Sequence, residues 1–247
     1  MTPLRIAAHV HSDWSYDGVW PLRELSDAFR RRGYDAVLMA EHDRGFDQER
    51  WSAYRRACAE HSTDDLLLVP GMEYEDADNT VHIPVWGDSI PFLGSGHPTL
   101  ELLRAAREHG AVTVFAHPRR RNALARYRAE WAPLLTAVEI WNRKYDGVAP
   151  GAGMASFARR ERLPAFVSLD FHTHRQFFPL SIGVSVDGPP AAASVIDAIR
   201  TRAFAPQFMN APALRFAHGL TGTAFRGLED GRGIARRSAH LLHRAVR

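Results

Sequence analysis

Cysteine is nearly absent: Cys58 stands alone in 247 residues, which excludes a disulfide framework and cysteine-rich zinc sites. Lysine is equally scarce. Lys144 is the only one among 31 lysine and arginine residues, a bias that most simply reflects a GC-rich coding sequence. The formal charge of only +3 argues against a polymeric nucleic acid as partner, although Arg119-Arg120-Arg121 and Arg236-Arg237 form local basic clusters. No apolar run is long enough to span a bilayer, and Met1-Thr-Pro-Leu-Arg5 opens no signal-peptide core. These absences predict a cytoplasmic chain without membrane contact. Its 45% hydrophobic and 24% charged residues are those of an ordinary globular protein.

Short apolar runs alternate with longer helical patterns from end to end. Strands are expected at 4–9, 35–40, 66–72, 80–86, 111–116, 136–141, 165–169 and 181–186, and helices at 21–32, 47–61, 98–109, 122–130, 151–161 and 190–201. Nearly continuous apolar strands covered on both sides and separated by helices predict an α/β architecture with a parallel sheet or barrel. Residues 202–225 read as irregular and 226–246 as a helix. The expected organisation is a β/α unit over 1–201 with a C-terminal extension over 202–247, whose Leu228, Ile234, Ala235, Ala239, Leu242 and Val246 form part of an amphipathic face for packing on that unit or on a partner subunit.

Chemistry gathers where the strands give out. The first ends in His9-Val-His11, with Asp17-Gly18 in the loop beyond; two residues apart on a strand, both imidazoles point one way. The second ends in Glu41-His42-Asp43, the third in Met72-Glu73, and the next run carries His82. Later strands end in His117-Pro118-Arg119 and Asp170-Phe171-His172. Imidazole and carboxylate together suit a divalent cation, and in β/α barrels such groups collect on the face where strands end. Taken singly, His82 could be a core histidine and Asp17-Gly18 a turn. Their recurrence at six strand exits is what points to a site.

In that order, H-x-H, Asp-Gly, E-H-D, G-x-E, a lone histidine, A-H-P and D-x-H, the motifs resemble the polymerase and histidinol phosphatase (PHP) superfamily over residues 4–190. The resemblance implies a distorted seven-stranded β/α barrel of PHP type with a C-terminal helical extension and a site for two to three divalent ions, zinc, manganese or iron. It places His9, His11, Glu73 and Asp170 on one ion, Glu73, His82 and His117 on a second, and Asp17, His42 and His172 on a third. Glu41 stands where the family more often has aspartate.

The implied activity is hydrolysis of a phosphomonoester of a small metabolite, a sugar, amino-alcohol or nucleotide phosphate, by a hydroxide bridging the metals. Arginines would hold the phosphate, Arg119 first by position, then Arg143 and Arg175. Asp43 or His174 would donate a proton to the leaving oxygen. Alternatives are a nuclease trimming oligonucleotides, a hydrolase of a non-phosphate ester or amide bond, and a metal-stabilised binding domain without turnover.

Overall fold

The apolar runs fold as strands buried on both faces: Ala36–Met39, Val112–Phe115 and Ala137–Asn142 are buried throughout. The computed structural model describes residues 1–245, with side chains as far as Ala235. The strands are β1 (Thr2–Val10), β2 (Ala36–Met39), β3 (Glu41–His42), β4 (Leu67–Val69), β5 (Gly71–Glu75), β6 (His82–Trp86), β7 (Val112–Phe115), β8 (Ala137–Asn142), β9 (Ala165–Ser168), β10 (Leu180–Val186), β11 (Phe204–Phe208) and β12 (Ala211–Pro212). The helices are α1 (Leu22–Arg30), α2 (Gln48–His61), α3 (Thr99–Glu108), α4 (Arg143–Asp146), α5 (Met154–Arg160), α6 (Ala192–Arg200) and α7 (Gly219–Ala245).

The architecture is mixed α/β with two six-stranded sheets, ordered β12-β11-β10-β1-β2-β4 and β3-β5-β6-β7-β8-β9. Single residues separate β2 from β3 and β4 from β5, so each pair carries the chain from one sheet into the other. At the second break, Pro70 has no N–H for a ladder bond. Beyond β9, Leu169 N donates to Ala8 O (3.0 Å) and Phe171 N to His9 O (2.9 Å), joining the end of the second sheet to β1. Gly71 is needed where the sheets meet, because a Cβ there would lie 2.2 Å from the Trp86 indole.

Several expectations need correcting. The sheets are not wholly parallel: β6 runs antiparallel to β5 and β7, and β10 to β1 and β11. The expected helix at 122–130 is instead two 3₁₀ turns, 120–126 and 129–134, interrupted by left-handed Arg121 and Asn122 and containing Pro133. Residues 204–208, expected to be irregular, extend the first sheet as β11, so the sheet continues past residue 201. Along α7, Leu228 and Ile234 are 61% and 58% exposed and do not pack inward. Arg236, Arg237, Ala239, Leu242 and Val246 lie outside the residues whose side chains are described. None of the described helices is long and apolar enough to cross a membrane.

What anchors the C-terminal region is aromatic packing. The buried Trp141 ring lies 5.0–6.3 Å from those of Phe178, Phe208, Phe216 and Phe225, tying β11 and the start of α7 to β8. Truncating a buried indole leaves a cavity. Trp141→Ala is expected to cost about 3–5 kcal/mol, read from the shift of a urea unfolding midpoint at unchanged slope.

Candidate metal centre

Backbone irregularity, not strand alternation, aims the first imidazole. The β1–β2 register slips between Ala8 and Val10, leaving His9 in a bulge at φ 62°, a left-handed conformation that costs a non-glycine residue. His9 and His11 are both buried and converge, but not as two equivalent strand positions. His117 and Asp170 are also left-handed, at φ 26° and 47°. Strain of this kind gathers at functional sites, where surrounding contacts hold it in place.

Glu41 fixes the loop that follows. Its buried carboxylate accepts from Ser12 N (3.0 Å), Ser12 Oγ (2.6 Å) and Ser15 Oγ (2.5 Å), while Ser15 Oγ accepts from His42 N (3.0 Å). Burial pushes the Glu41 carboxyl up, and the Ser12 and Ser15 bonds offset part of that rise. The loop closes at Gly18, where a Cβ would sit 1.9 Å from Ser12 O. Asp17 is thereby brought to 3.5 Å from His42 Nε2 and 2.9 Å from His172 Nε2. Glu41→Ala would leave two buried hydroxyls without their acceptor, for an expected loss of about 1–3 kcal/mol. Denaturant melts and a metal titration would check this, affinity falling at the Asp17, His42 and His172 positions.

Glu73 is the hub. Its carboxylate, 1% exposed, lies 3.0 Å from His9 Nε2, 3.5 Å from His11 Nε2, 3.3 Å from His42 Nδ1, 3.0 Å from His82 Nδ1 and 3.1 Å from His117 Nε2. His82 reaches it because β6 is antiparallel, so its first residue, not its last, stands at the common end. Asp170 lies 3.7 Å from His11, 3.6 Å from His117 and 3.3 Å from His172. All nine residues expected as ligands are therefore gathered in one place.

The other expected site residues are less concentrated. Arg119, half-exposed, faces Asp146 at 3.3 Å, and the Arg143 guanidinium lies 4.9 Å from the Phe178 ring centroid. His174 and Arg175 are exposed on a 3₁₀ turn. Asp43 is buried with both carboxylate oxygens lacking a hydrogen bond.

Three contributors were not anticipated. Glu139, in the apolar run of β8, accepts from His9 Nδ1 (2.9 Å), His117 N (2.7 Å) and Asn142 Nδ2 (2.8 Å). That bond leaves His9 Nε2 to face Glu73, the way carboxylates orient metal-binding imidazoles. Lys144 places its ammonium 3.2 Å from Asp170 Oδ1. Arg120, not Arg119, reaches the cluster, with Nη1 3.0 Å from His82 Nε2. The sequence signals were a carboxylate inside an otherwise apolar strand and the lone lysine.

Electrostatics follow from crowding charge in a buried site. Burial alone would lower His9, but Glu73, Asp170 and Glu139 outweigh it and raise the imidazole well above its usual range. His42 is raised likewise, burial being outweighed by Asp17 and Glu73. His11 is lowered by burial and by His172 and His42. Burial pushes His82 down to about 4 against the pull of Glu73. Glu73 and Asp170 stay low despite burial, held by His9 and His82 in the first case and by Lys144 and His9 in the second.

Among the described residues, four sets have their ligand atoms within 4.8 Å of one another: His11, Asp17, His42 and His172; His9, His11 and Asp170; His9, Glu73 and His117; and His42, Glu73 and His82. The decisive detail is unsatisfied bonding. His9 Nε2, His11 Nε2, His42 Nδ1 and His82 Nδ1 are buried and make no hydrogen bond, although a Glu73 oxygen lies within 3.5 Å of each. Buried polar atoms rarely go unpaired, and nitrogens converging on a carboxylate without bonding to it fit a divalent cation between them.

No family model and no curated protein matches the sequence. Among solved structures, the chain is similar to a two-domain Bacteroides vulgatus protein containing a predicted PHP-like metal-dependent phosphoesterase, with TM-score 0.63 and 18% identity over 84% of this chain and 65% of that one. The fold is of the PHP type. PsfC from Pseudomonas syringae is similar at TM-score 0.62 and 15% identity over 92% of this chain and 100% of its own. The lesion-specific endonuclease PfuEndoQ from Pyrococcus furiosus is similar at 0.54 and 14% over 81% and 56%. This chain thus spans less than two thirds of the Bacteroides protein, and its PHP-type fold carries its own dense His/Asp/Glu cluster.

Proposed function

We propose that this chain is a metal-dependent phosphoesterase hydrolysing a phosphomonoester of a small metabolite. The reading rests above all on the buried imidazole nitrogens that surround Glu73 without hydrogen bonds. Two to three zinc, manganese or iron ions would be held by His9, His11, Glu73 and Asp170, by Glu73, His82 and His117, and by Asp17, His42 and His172. Ions so held make water nucleophilic near neutral pH and neutralise phosphoryl charge. The two sheets then read as one distorted seven-stranded barrel, supported by the single-residue breaks in β2/β3 and β4/β5 and by the bonds from 169–171 to β1.

The chain's own residues supply the rest. Glu139 holds the His9 ring in one orientation. Arg119, half-exposed beside Asp146, would meet substrate phosphate from solvent in this scheme. Asp43, pushed up to about 6 by burial and by Glu75, keeps the protonated fraction a donor to the leaving oxygen requires. Exposed His174 is the other donor in this scheme.

Exposed Tyr16 stacks on His42 (ring centroids 4.9 Å, interplanar angle 21°) and exposed Tyr145 lies 4.8 Å from His117. Arg44 and Arg120 flank them. Aromatic platforms with adjacent cations can stack bases, so a nuclease acting on short oligonucleotides is the second reading, and PfuEndoQ shares the fold.

The test is elemental analysis of untagged protein purified without chelators, followed by phosphate release from phosphomonoesters and, in parallel, oligonucleotide cleavage. Two to three equivalents of metal per chain are expected, lost together with phosphatase activity in His9→Ala and His117→Ala. No metal uptake from millimolar additions would sink the mechanism. Cleavage of oligonucleotides alone would move the assignment to the second reading.

A further inference from the structure

We propose that Lys144 grips substrate alongside Arg119, its ammonium binding a phosphoryl oxygen directly. The inference rests on the phosphoesterase reading and adds to it the group that selects for phosphate. Its first support is composition. Arginine fills all other positions among the 31 lysine and arginine residues, and the single lysine stands against the metal cluster. An ammonium is a compact point charge with three rotatable donors, whereas a guanidinium is a planar fork that needs acceptors in its plane. Toward a single carboxylate oxygen, such as Asp170 Oδ1, the compact ammonium can turn its remaining donors elsewhere.

The distances place the ammonium against the cluster. Lys144 Nζ lies 3.2 Å from Asp170 Oδ1 and 3.2 and 3.4 Å from His172 Nε2 and Nδ1, with the side chain 27% exposed. It thus stands between the buried ligands and solvent. Its backbone is fixed by Asn142, whose Oδ1 accepts from Lys144 N (3.0 Å) and Tyr145 N (3.2 Å). The same Asn142 donates to Glu139 and Ser168, so the lysine is mounted on the shell that orients His9.

Donor counting separates Lys144 from Arg120. His172 Nδ1 donates to Asp170 O (3.0 Å), so Nε2 is the one nitrogen of that ring able to accept from the ammonium. Asp170 takes one N–H and His172 Nε2 at most one more, which leaves at least one for a ligand oxygen. Arg120, by contrast, spends its donors on Asn79 O (2.7 Å), Asn79 Oδ1, His82 Nε2 (3.0 Å) and Tyr145 OH (3.0 Å).

Having a single lysine makes the test direct, because Lys144 and the N-terminus are the only aliphatic amines. Metal-loaded wild-type protein is acetylated with an amine-reactive ester, with and without inorganic phosphate, and both sites are quantified by mass spectrometry. Phosphate should slow labelling of Lys144 several-fold and leave the N-terminal rate unchanged. In Lys144→Ala, metal per chain should be unchanged and phosphate binding by calorimetry about 10–150-fold weaker, the scale of a hydrogen bond to a charged group. Lys144→Arg should not restore it.

Unprotected Lys144 in a protein that binds phosphate, or wild-type phosphate affinity in Lys144→Ala, overturns the proposal and leaves the phosphoesterase reading standing. So does a gain of one metal equivalent in Lys144→Ala with phosphate affinity unchanged, which would make the lysine a stand-in for an ion. If the metal-loaded wild type binds no phosphate, the phosphoesterase reading fails and the proposal with it.

Discussion

Glu73→Gln should abolish the centre with almost no change in side-chain volume. Metal content is expected to fall below one equivalent per chain, and phosphomonoester hydrolysis by about three orders of magnitude, the upper scale for removing one key electrostatic group. Five imidazoles meet this one carboxylate within 3.5 Å. An amide offers them half the acceptor capacity, no charge, and two N–H groups that must point at other donors. The damage should extend to the metal-free protein, because raised His9 keeps its proton chiefly through Glu73. Removing one partner of a buried pair typically costs about 3–5 kcal/mol. Metal analysis, kcat/KM and a chelated melting curve read the three effects separately. A Glu73→Gln protein with full metal and normal turnover would show that the centre is not where the chemistry happens.

Much of the site was legible because strand exits are marked by changes in residue type. Glu73, His117 and Asp170 follow apolar runs and His42 comes one residue later, after Glu41, and the structure gathers them around one centre. The reason given for His9 and His11 was nonetheless incomplete. Period-two alternation predicts one facing, but a bulge with φ 62° aims His9, and bulges leave no mark in a hydrophobic pattern. His82 sits at the start of an antiparallel strand rather than the end of a parallel one, a distinction set by long-range pairing.

Backbone detail explains the remaining misses. Arg120 was not foreseen, because the turn beginning at His117 brings its guanidinium to His82. Pro206 disguised β11, although its flanking residues pair with β10 in regular register. Left-handed Arg121 and Asn122 broke a pattern that propensity alone would continue as helix. Glu139 lies within a run whose apolar neighbours dominate any window, so its role emerges only once His9 lies beside it.

Metal loading should stabilise the protein, and by more as pH rises. His9 and His42 have raised folded values, so their contribution to the metal-free state is fully present below the ordinary histidine range. It fades as pH rises through those raised values. The lowered carboxylates Glu73 and Asp170 act in the opposite sense, with a contribution present above the ordinary carboxylate range and lost as pH falls through their folded values. The metal-free protein is thus most stable between the two windows. A divalent ion needs neutral imidazole, so it must displace the His9 and His42 protons, whereas His82, near 4, and lowered His11 are already neutral. Affinity should therefore weaken about tenfold per pH unit for each proton displaced. At metal concentrations 100 times Kd, the gain is about 2.7 kcal/mol, roughly a 5–11 °C rise in Tm for a chain this long. At fixed zinc or manganese, that rise should be larger at pH 8 than at pH 6, and calorimetry in two buffers of different ionisation enthalpy should count the protons released. Equal shifts at both pH values with no proton release would place the metal away from His9 and His42, and the cluster would then be a buried charge network rather than a centre that works through its ions.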